Sequence, residues 1–157
     1  MTTARSLHQR RPDTISVLAS HPQGWLATAG LAADGTPAPH LIAVSVTWTG
    51  EALLMATRGG TPTARNLDAT HRARLAIGTP DDVLMLDLAV GPAIPATGDD
   101  PATLAARATF TAAQGWDPAE EGPDWRYHHL RPTTVQAYRG YGELGDHVVM
   151  RDGTWRA

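Results

Sequence analysis

The sequence lacks cysteine and lysine, and each absence removes a class of chemistry. With no Cys among its 157 residues, the chain has no thiolate nucleophile, no disulfide and no thiolate metal ligand. All 13 basic residues are Arg, which excludes a Schiff base and an amine base, so any cationic ligand contact must come from a guanidinium. Long apolar runs are also absent. The longest, VLMLDLAV from Val83, is too short to span a membrane and contains Asp87.

The local motifs of several enzyme classes are missing too. None of the four serines lies in a Gly-x-Ser-x-Gly setting, so a hydrolase triad has no local support. The chain has neither a Walker loop nor a Gly-x-Gly-x-x-Gly fingerprint. The net charge is −3 and the arginines are spread along the chain, which does not favour a nucleic-acid partner.

Histidine offers no clear metal site. His128 and His129 are adjacent, so their side chains point apart and cannot easily share one metal ion. We therefore predict that they are surface or dimer-contact residues, and we expect no metal.

The chain length fits one domain, which we predict to cover residues 12–157 behind a flexible tail of residues 1–11. The N-terminal segment MTTARSLHQRR has no apolar core and is not a signal peptide. We expect a cytoplasmic protein that does not interact with membranes.

Hydrophobic periodicity predicts a mainly β fold with inserted helices. Period-two patterns bounded by turn residues indicate six strands, the last long one starting at Pro132, and this favours a small antiparallel barrel. Helices are predicted from Asp13 to His21, from Pro62 to Thr70, and from Pro101 to a stop at Gly115. In the third helix, Leu104, Ala108 and Thr111 form the predicted apolar stripe.

The stretch ALLMATRGGTPTARNL, residues 52–67, combines a buried strand, a glycine loop and a helix start. Thr61 followed by Pro62 is a strong start signal, because the Thr hydroxyl can cap a free N–H and Pro has none to leave unpaired. The nearest charges are Arg58 and Arg65, although the positive end of a helix favours acids.

Two interpretations of this helix start remain open from its spacing. In one, free backbone N–H groups, threonine hydroxyls and a guanidinium form a phosphate site. In the other, Thr61 only caps the helix, Arg65 pairs with Asp68, and Arg58 is solvated.

From Gly24 to Gly78 the chain resembles the pyridoxamine 5′-phosphate oxidase-like flavin-binding split barrels. The matching register comprises a strand ending at Thr57, then Thr61, Thr63 and Ala64 at the helix start, and Leu67 downstream. The segment HLIAVSVTW from His40 resembles the actinobacterial branch of that family. One departure is Thr63, where members commonly place a basic residue against the cofactor phosphate.

The resemblance implies a six-stranded antiparallel split β-barrel that forms a homodimer with its cofactor site at the subunit interface. It implies a flavin ring along the strand from His40 to Val46, a phosphate at the helix start, and a C-terminal Trp155 that reaches a cofactor ring or closes the barrel end. The candidate cofactor-binding residues are Ile42, Val44, Ser45, Ala56, Thr57, Arg58, Thr61, Thr63, Arg65 and Trp155.

The function implied by the resemblance is FMN binding and flavin-dependent oxidation or reduction of a small molecule. Neither the residues nor the resemblance identifies a catalytic residue. One alternative is a reductase that uses the deazaflavin coenzyme F-420, which is more negatively charged and should favour a basic groove. A second alternative is a flavin-binding or cofactor-free dimeric module without turnover. Haem binding lacks a clear axial ligand.

Overall fold

The computed structural model describes residues 4–156 and shows a curled antiparallel sheet with three α-helices. Residues 1–3 of the predicted tail and Ala157 of the predicted domain lie outside the described residues. The helices are α1 (Leu7–Ala19), α2 (Pro62–Thr70) and α3 (Pro101–Gln114). The strands are β1 (Gln23–Leu31), β2 (Pro37–Ser45), β3 (Thr47–Trp48), β4 (Leu53–Arg58), β5 (Arg72–Thr79), β6 (Asp82–Val90), β7 (Ile94–Pro95), β8 (Trp125–Arg139), β9 (Val148–Arg151) and β10 (Thr154–Trp155).

Six of these strands, with β3 continuing β2, close a circuit. Around the sheet, β2 pairs with β1, β1 with β5, β5 with β6, β6 with β8 and β8 with β4, all antiparallel. Strand β4 then pairs with β3, and Val46 alone separates β3 from β2 along the chain. The return contact is short, because β3 and β4 pair through two residues each. Along β2 itself, no strand of residues 4–156 pairs with the edge opposite β1. The predicted six-stranded antiparallel split barrel is therefore confirmed, and the split lies between β2 and β4.

The barrel interior follows the predicted period-two faces. Leu75 and Ile77 of β5 are buried, while Arg74 beside them is exposed. On β6 the predicted apolar face, residues 84, 86, 88 and 90, is buried, and Asp87 points outward with 47% of its side chain exposed. Burial of these alternating aliphatic side chains stabilises the barrel, at ~1.5–3 kcal/mol for each large one.

Helix α1 begins earlier than the sequence pattern predicts, at Leu7 rather than Asp13. Ser6 and Gln9 form a reciprocal capping box at its start, in which each side chain accepts from the other residue's backbone N–H. The predicted tail of residues 1–11 thus contains the first turn of a capped helix.

Buried charges hold this N-terminal segment against the barrel. Arg5 donates from its backbone and side chain to Glu143, with guanidinium-to-carboxylate distances of 2.8 and 3.0 Å. Glu143 lies on a short 3-10 turn, is only 3% exposed, and also accepts from the backbone N–H of Arg139. Arg10, 5% exposed, donates to the carbonyl of Asp146 at 2.6 Å.

Helices α2 and α3 have the predicted bounds, but α3 buries a different face. Thr103, Ala106 and Phe110 are buried, whereas Leu104 of the predicted stripe is 50% exposed. The reason is tertiary, because Phe110 packs on the outer face of the sheet with Leu54, Tyr127 and two alanines in a second, smaller core.

Strand β8 starts at Trp125, seven residues before the predicted start at Pro132. Its first half pairs with β4 and β7, and its second half pairs with β6 and β9. Pro132 lies where the β6–β8 register shifts, and an irregularity of this kind lets a strand continue through a residue that has no N–H to donate.

Candidate functional site

The split between β2 and β4 forms a groove of about 300 Å³. The unpaired edge of β2 borders one side, and an unpaired strand edge presents backbone N–H and C=O groups to whatever lies beside it. The end of β4 and the start of α2 form the floor and one end. Aromatic side chains from α3 and from the segment that follows it form the opposite wall. The lining residues are Ile42, Ala43, Val44, Ser45, Met55, Ala56, Thr57, Arg58, Thr61, Phe110, Trp116 and Trp125.

Seven of the ten predicted cofactor-binding residues line this one groove. Three belong to the predicted ring-binding strand and four to the predicted phosphate end. They are Ile42, Val44, Ser45, Ala56, Thr57, Arg58 and Thr61. The fold therefore joins two segments that the sequence separates by a turn and a strand.

Thr61 organises the phosphate end as the N-cap of α2. Its hydroxyl accepts from the N–H of Ala64 at 3.2 Å and donates to the carbonyl of Arg58 at 2.9 Å. The Thr57 hydroxyl lies 3.4 Å from it. Within residues 4–156, the Arg58 guanidinium has no carboxylate within 4.0 Å, and the first turn of α2 contains no acid. An anion can therefore meet an unpaired cation and a threonine hydroxyl here.

Three predicted residues lie apart from the groove lining. Thr63 is 2% exposed, and its hydroxyl is 3.1 Å from Nε2 of His40. Arg65 is exposed and its guanidinium donates to the carbonyl of Gly60. Trp155 pairs with Met150 at the far end of the sheet. The centroid of its ring lies 5.6 Å from the guanidinium carbon of Arg11. Contact of Trp155 with a partner's cofactor stays a prediction.

Arg126 is a further cation near the phosphate end, and sequence spacing does not reveal it. Its guanidinium lies so close to Gly59 that a side-chain carbon there would fall 2.9 Å from Nε. Its carboxylate neighbour is Asp68 at 3.9 Å, and both side chains are more than 40% exposed, so that pair contributes little. Pairing of β8 with β4 places Arg126 opposite Thr57.

The aromatic wall is the second feature that the sequence pattern misses. Trp116 lies 5.2 Å from Phe110 and 5.1 Å from Trp125, centroid to centroid, with both pairs edge to face. Edge-to-face packing of this kind holds an aromatic ring in one orientation. Trp116 retains 37% exposure. The only sequence signal is the clustering of aromatic residues around an acidic loop.

The histidine pair differs from the prediction. His128 is 1% exposed and lies beside Met55 on the neighbouring strand, so the prediction of a surface or dimer-contact residue is wrong for it. Burial lowers the pKa of His128, and neither ring nitrogen has a hydrogen-bond partner among the described residues. His129 is half-buried. Residues 4–156 contain no group of three or more histidine or acidic side chains that could hold a metal.

A larger cavity of about 740 Å³ lies on another face of the sheet. It is lined by mixed charges, including His71, Arg72, Asp87 and Asp152, and by none of the predicted cofactor residues. Flat cofactor rings are bound mainly by apolar and aromatic side chains. We therefore take the smaller groove as the candidate site.

None of the helices in residues 4–156 combines the length and the apolar character needed to cross a membrane.

Comparison with known proteins gives structural matches only. No family model and no curated protein sequence matches the chain. A haem-binding protein from Mycobacterium smegmatis superposes on 90% of this chain with a TM-score of 0.62 and 22% identity. The chain spans 57% of that protein's length.

Two further structures match nearly their whole length. A candidate pyridoxamine 5′-phosphate oxidase from Listeria innocua has 16% identity and a TM-score of 0.59, over 80% of this chain and 95% of its own. An F-420 reductase has 26% identity and a TM-score of 0.55, over 76% of this chain and 93% of its own. The chain therefore has the split-barrel fold that these proteins share and is similar in fold to the pyridoxamine 5′-phosphate oxidase-like proteins.

Proposed function

We propose that this chain binds FMN noncovalently in the β2–β4 groove and uses it to oxidise or reduce a small molecule. The observation that carries the proposal is the groove itself, because one continuous surface joins the three predicted residues of the ring-binding strand to four of the predicted residues around the helix start. Bound FMN would supply hydride or electron transfer. The protein would hold the ring and the phosphate and shape the open side.

The residues fit the two ends of FMN unequally. The unpaired edge of β2 offers backbone groups to the polar rim of a flavin ring, and Ile42 and Val44 offer apolar surface. At the other end, Arg58 and the Thr57 hydroxyl would bind the phosphate. The groove lining contains no carboxylate, so we assign no proton donor to the chain.

We propose that the functional unit is a homodimer with the groove at its interface. Strands β1 and β2 form a hairpin whose outward side we call the hairpin face. Its largest side chains, Trp25, Leu31 and Leu41, are 55%, 73% and 60% exposed. None of its ten side chains is charged, and they are Gln23, Trp25, Ala27, Ala29, Leu31, Pro37, Pro39, Leu41, Ala43 and Ser45. Since Ala43 also lines the groove, a partner covering this face would border the cofactor site.

Leu41→Glu is expected to convert the dimer to a monomer, because it places a charge in the centre of the hairpin face. Analytical ultracentrifugation at micromolar concentration measures the change. Leu104→Glu is the matched control, since Leu104 is also half-exposed but lies on α3. A dimeric Leu41→Glu variant, or a monomeric wild type, would contradict this interface.

Titration with FMN tests the cofactor proposal. We expect wild-type protein to quench FMN fluorescence with micromolar or tighter affinity, and Arg58→Ala to raise the Kd about tenfold, or ~1.4 kcal/mol, because it removes the unpaired guanidinium from the phosphate end. Arg72→Ala, an exposed arginine outside the groove, is the control and should leave the Kd unchanged. Absence of binding at tens of micromolar FMN would refute the proposal.

A deazaflavin-dependent reductase is the second candidate function. The similarity to an F-420 reductase, the highest identity among the three matched structures described above, supports it. The same titration with the deazaflavin separates the two, since tighter binding of that coenzyme than of FMN would favour the second candidate. Binding of either coenzyme without turnover of any tested substrate would favour a cofactor-binding module.

We also propose that the protein is cytoplasmic.

A further inference from the structure

The aromatic wall of the groove has no assigned partner in the proposed function. Trp116 is held between Phe110 and Trp125 by edge-to-face contacts of 5.2 and 5.1 Å. It is nevertheless 37% exposed and lines the groove. An exposed indole fixed on both sides is preorganised for an aromatic ligand, because little rotamer entropy remains to be lost when the ligand binds.

The size of the groove limits what lies against this wall. About 300 Å³ is at the lower end of the volumes of small-molecule pockets. The groove therefore suits one flat ring system lying between the β2 edge and Trp116, rather than a cofactor ring and a substrate ring stacked together.

The phosphate end of the groove offers fewer free hydrogen-bond donors than the sequence of the helix start predicts. The Thr61 hydroxyl donates to the carbonyl of Arg58, the Thr63 hydroxyl contacts His40, and Arg65 donates to the carbonyl of Gly60. Three of the donors that the sequence nominates are thus engaged within the protein. What remains for a phosphate in the groove lining is the Thr57 hydroxyl and the exposed Arg58 guanidinium, while the partly exposed Arg126 lies outside the lining. Solvent screening weakens contacts with exposed cations.

From these observations we propose that ring recognition by Trp116, rather than phosphate recognition, supplies most of the affinity of this site. This inference rests on the proposed function and adds a preference for the ring over the phosphate, which FMN binding alone does not require. The ligand class is a flat, uncharged or anionic heteroaromatic ring system, with or without a phosphate. Riboflavin should therefore bind with a Kd within about tenfold of that of FMN, since the exposed Arg58 is the one charged residue of the groove lining and supplies most of what the phosphate would contact.

The experiment compares FMN with riboflavin on wild type, Trp116→Ala, Trp116→Phe and Tyr141→Ala. Kd is measured by flavin fluorescence quenching, and folding by the melting temperature. Trp116→Ala should raise the Kd of both ligands by at least tenfold and by the same factor, because both share the ring. Trp116→Phe restores an aromatic face and should recover part of the loss. Tyr141→Ala is the matched control, because Tyr141 is 93% exposed and outside the groove lining.

The outcomes separate this inference from the FMN proposal. FMN binding that is unchanged in Trp116→Ala, or riboflavin binding more than 100-fold weaker than FMN, overturns the inference and leaves the FMN proposal intact. Riboflavin binding without FMN binding overturns the FMN proposal and supports the inference. If neither flavin binds wild-type protein, both are overturned.

Discussion

Ser45→Trp is expected to raise the Kd for FMN at least 100-fold, a loss of ~2.7 kcal/mol or more, because an indole at this position fills the groove. Ser45 lies at the end of β2 on the groove wall, and the groove volume is only about 300 Å³. Its hydroxyl makes a single long contact, 3.4 Å from the Gln23 amide nitrogen, so the larger side chain removes little that stabilises the fold. Fluorescence titration measures the Kd, and the melting temperature should change by no more than a few degrees.

Ser45→Ala is the matched control for this substitution. It removes the same hydroxyl without filling the groove, and its Kd should stay within about threefold of the wild-type value, since only a weak neutral contact is lost. Wild-type affinity in Ser45→Trp would show that flavin lies outside the β2–β4 groove.

Glu143→Ala is expected to lower the free energy of unfolding at pH 7 by about 3 kcal/mol. The substitution leaves the Arg5 guanidinium, 15% exposed, with only the partly exposed Asp13 carboxylate at 2.8 Å, and it leaves the Arg139 N–H without its acceptor. Removing one partner of a buried pair typically costs ~3–5 kcal/mol, and we expect the lower end because Asp13 remains. Urea denaturation measures the effect. Glu51→Ala is the control, because Glu51 is 84% exposed and lies 4.0 Å from Arg131, so its loss should change stability by no more than ~0.5 kcal/mol.

The same carboxylate should make the protein sensitive to acid. Hydrogen bonds from the Arg5 side chain, with further ones from the backbone N–H groups of Arg5 and Arg139, lower the pKa of Glu143 from 4.5 to about 2. Because the folded pKa is the lower one, the contribution is complete above about pH 4.5 and is lost as the pH falls towards 2. At about 1.4 kcal/mol for each pKa unit, it amounts to ~3 kcal/mol.

Glu143→Ala should therefore flatten the stability profile between pH 4.5 and 2, where the wild-type protein loses stability. A variant that retains the full wild-type acid dependence would show that other carboxylates are responsible. A variant as stable as wild type at pH 7 would show that Asp13 alone is a sufficient partner for Arg5.

The sequence predicts those parts of the fold that local chemistry determines. The bounds of α2 and α3 agree with prediction because Thr61–Pro62, Asp100–Pro101 and Gly115 act within one turn of the helix ends. The start of β8 differs from the prediction because Pro132 is typical of a strand start, while the register shift that accommodates it depends on β6, more than forty residues earlier in the chain. Likewise, adjacency separates His128 from His129 but does not say which of them faces the core.

The residues of the candidate site likewise divide into those that the sequence predicts and those that depend on tertiary packing. The lining by Thr57, Arg58 and Thr61 follows from the strand, loop and helix pattern, and the lining by β2 follows from the family resemblance. The sequence pattern does not predict Trp116 or Arg126 at the site. Trp116 reaches it through its contact with Phe110 of α3, and Arg126 through the pairing of β8 with β4. Nor does a sequence pattern show that a neighbouring carbonyl already engages Arg65.

Strand β8 is part of both the groove and the barrel, since it borders the groove through Trp125 and then continues through the barrel wall to Arg139. Because the groove and the barrel share this strand, neither can unfold without disrupting the other, and the molecule should melt as one cooperative unit. Occupancy of the groove would then raise the melting temperature of the entire chain in proportion to the logarithm of ligand concentration. A simple thermal scan thus serves as a ligand screen for this protein, with no need to know the reaction in advance.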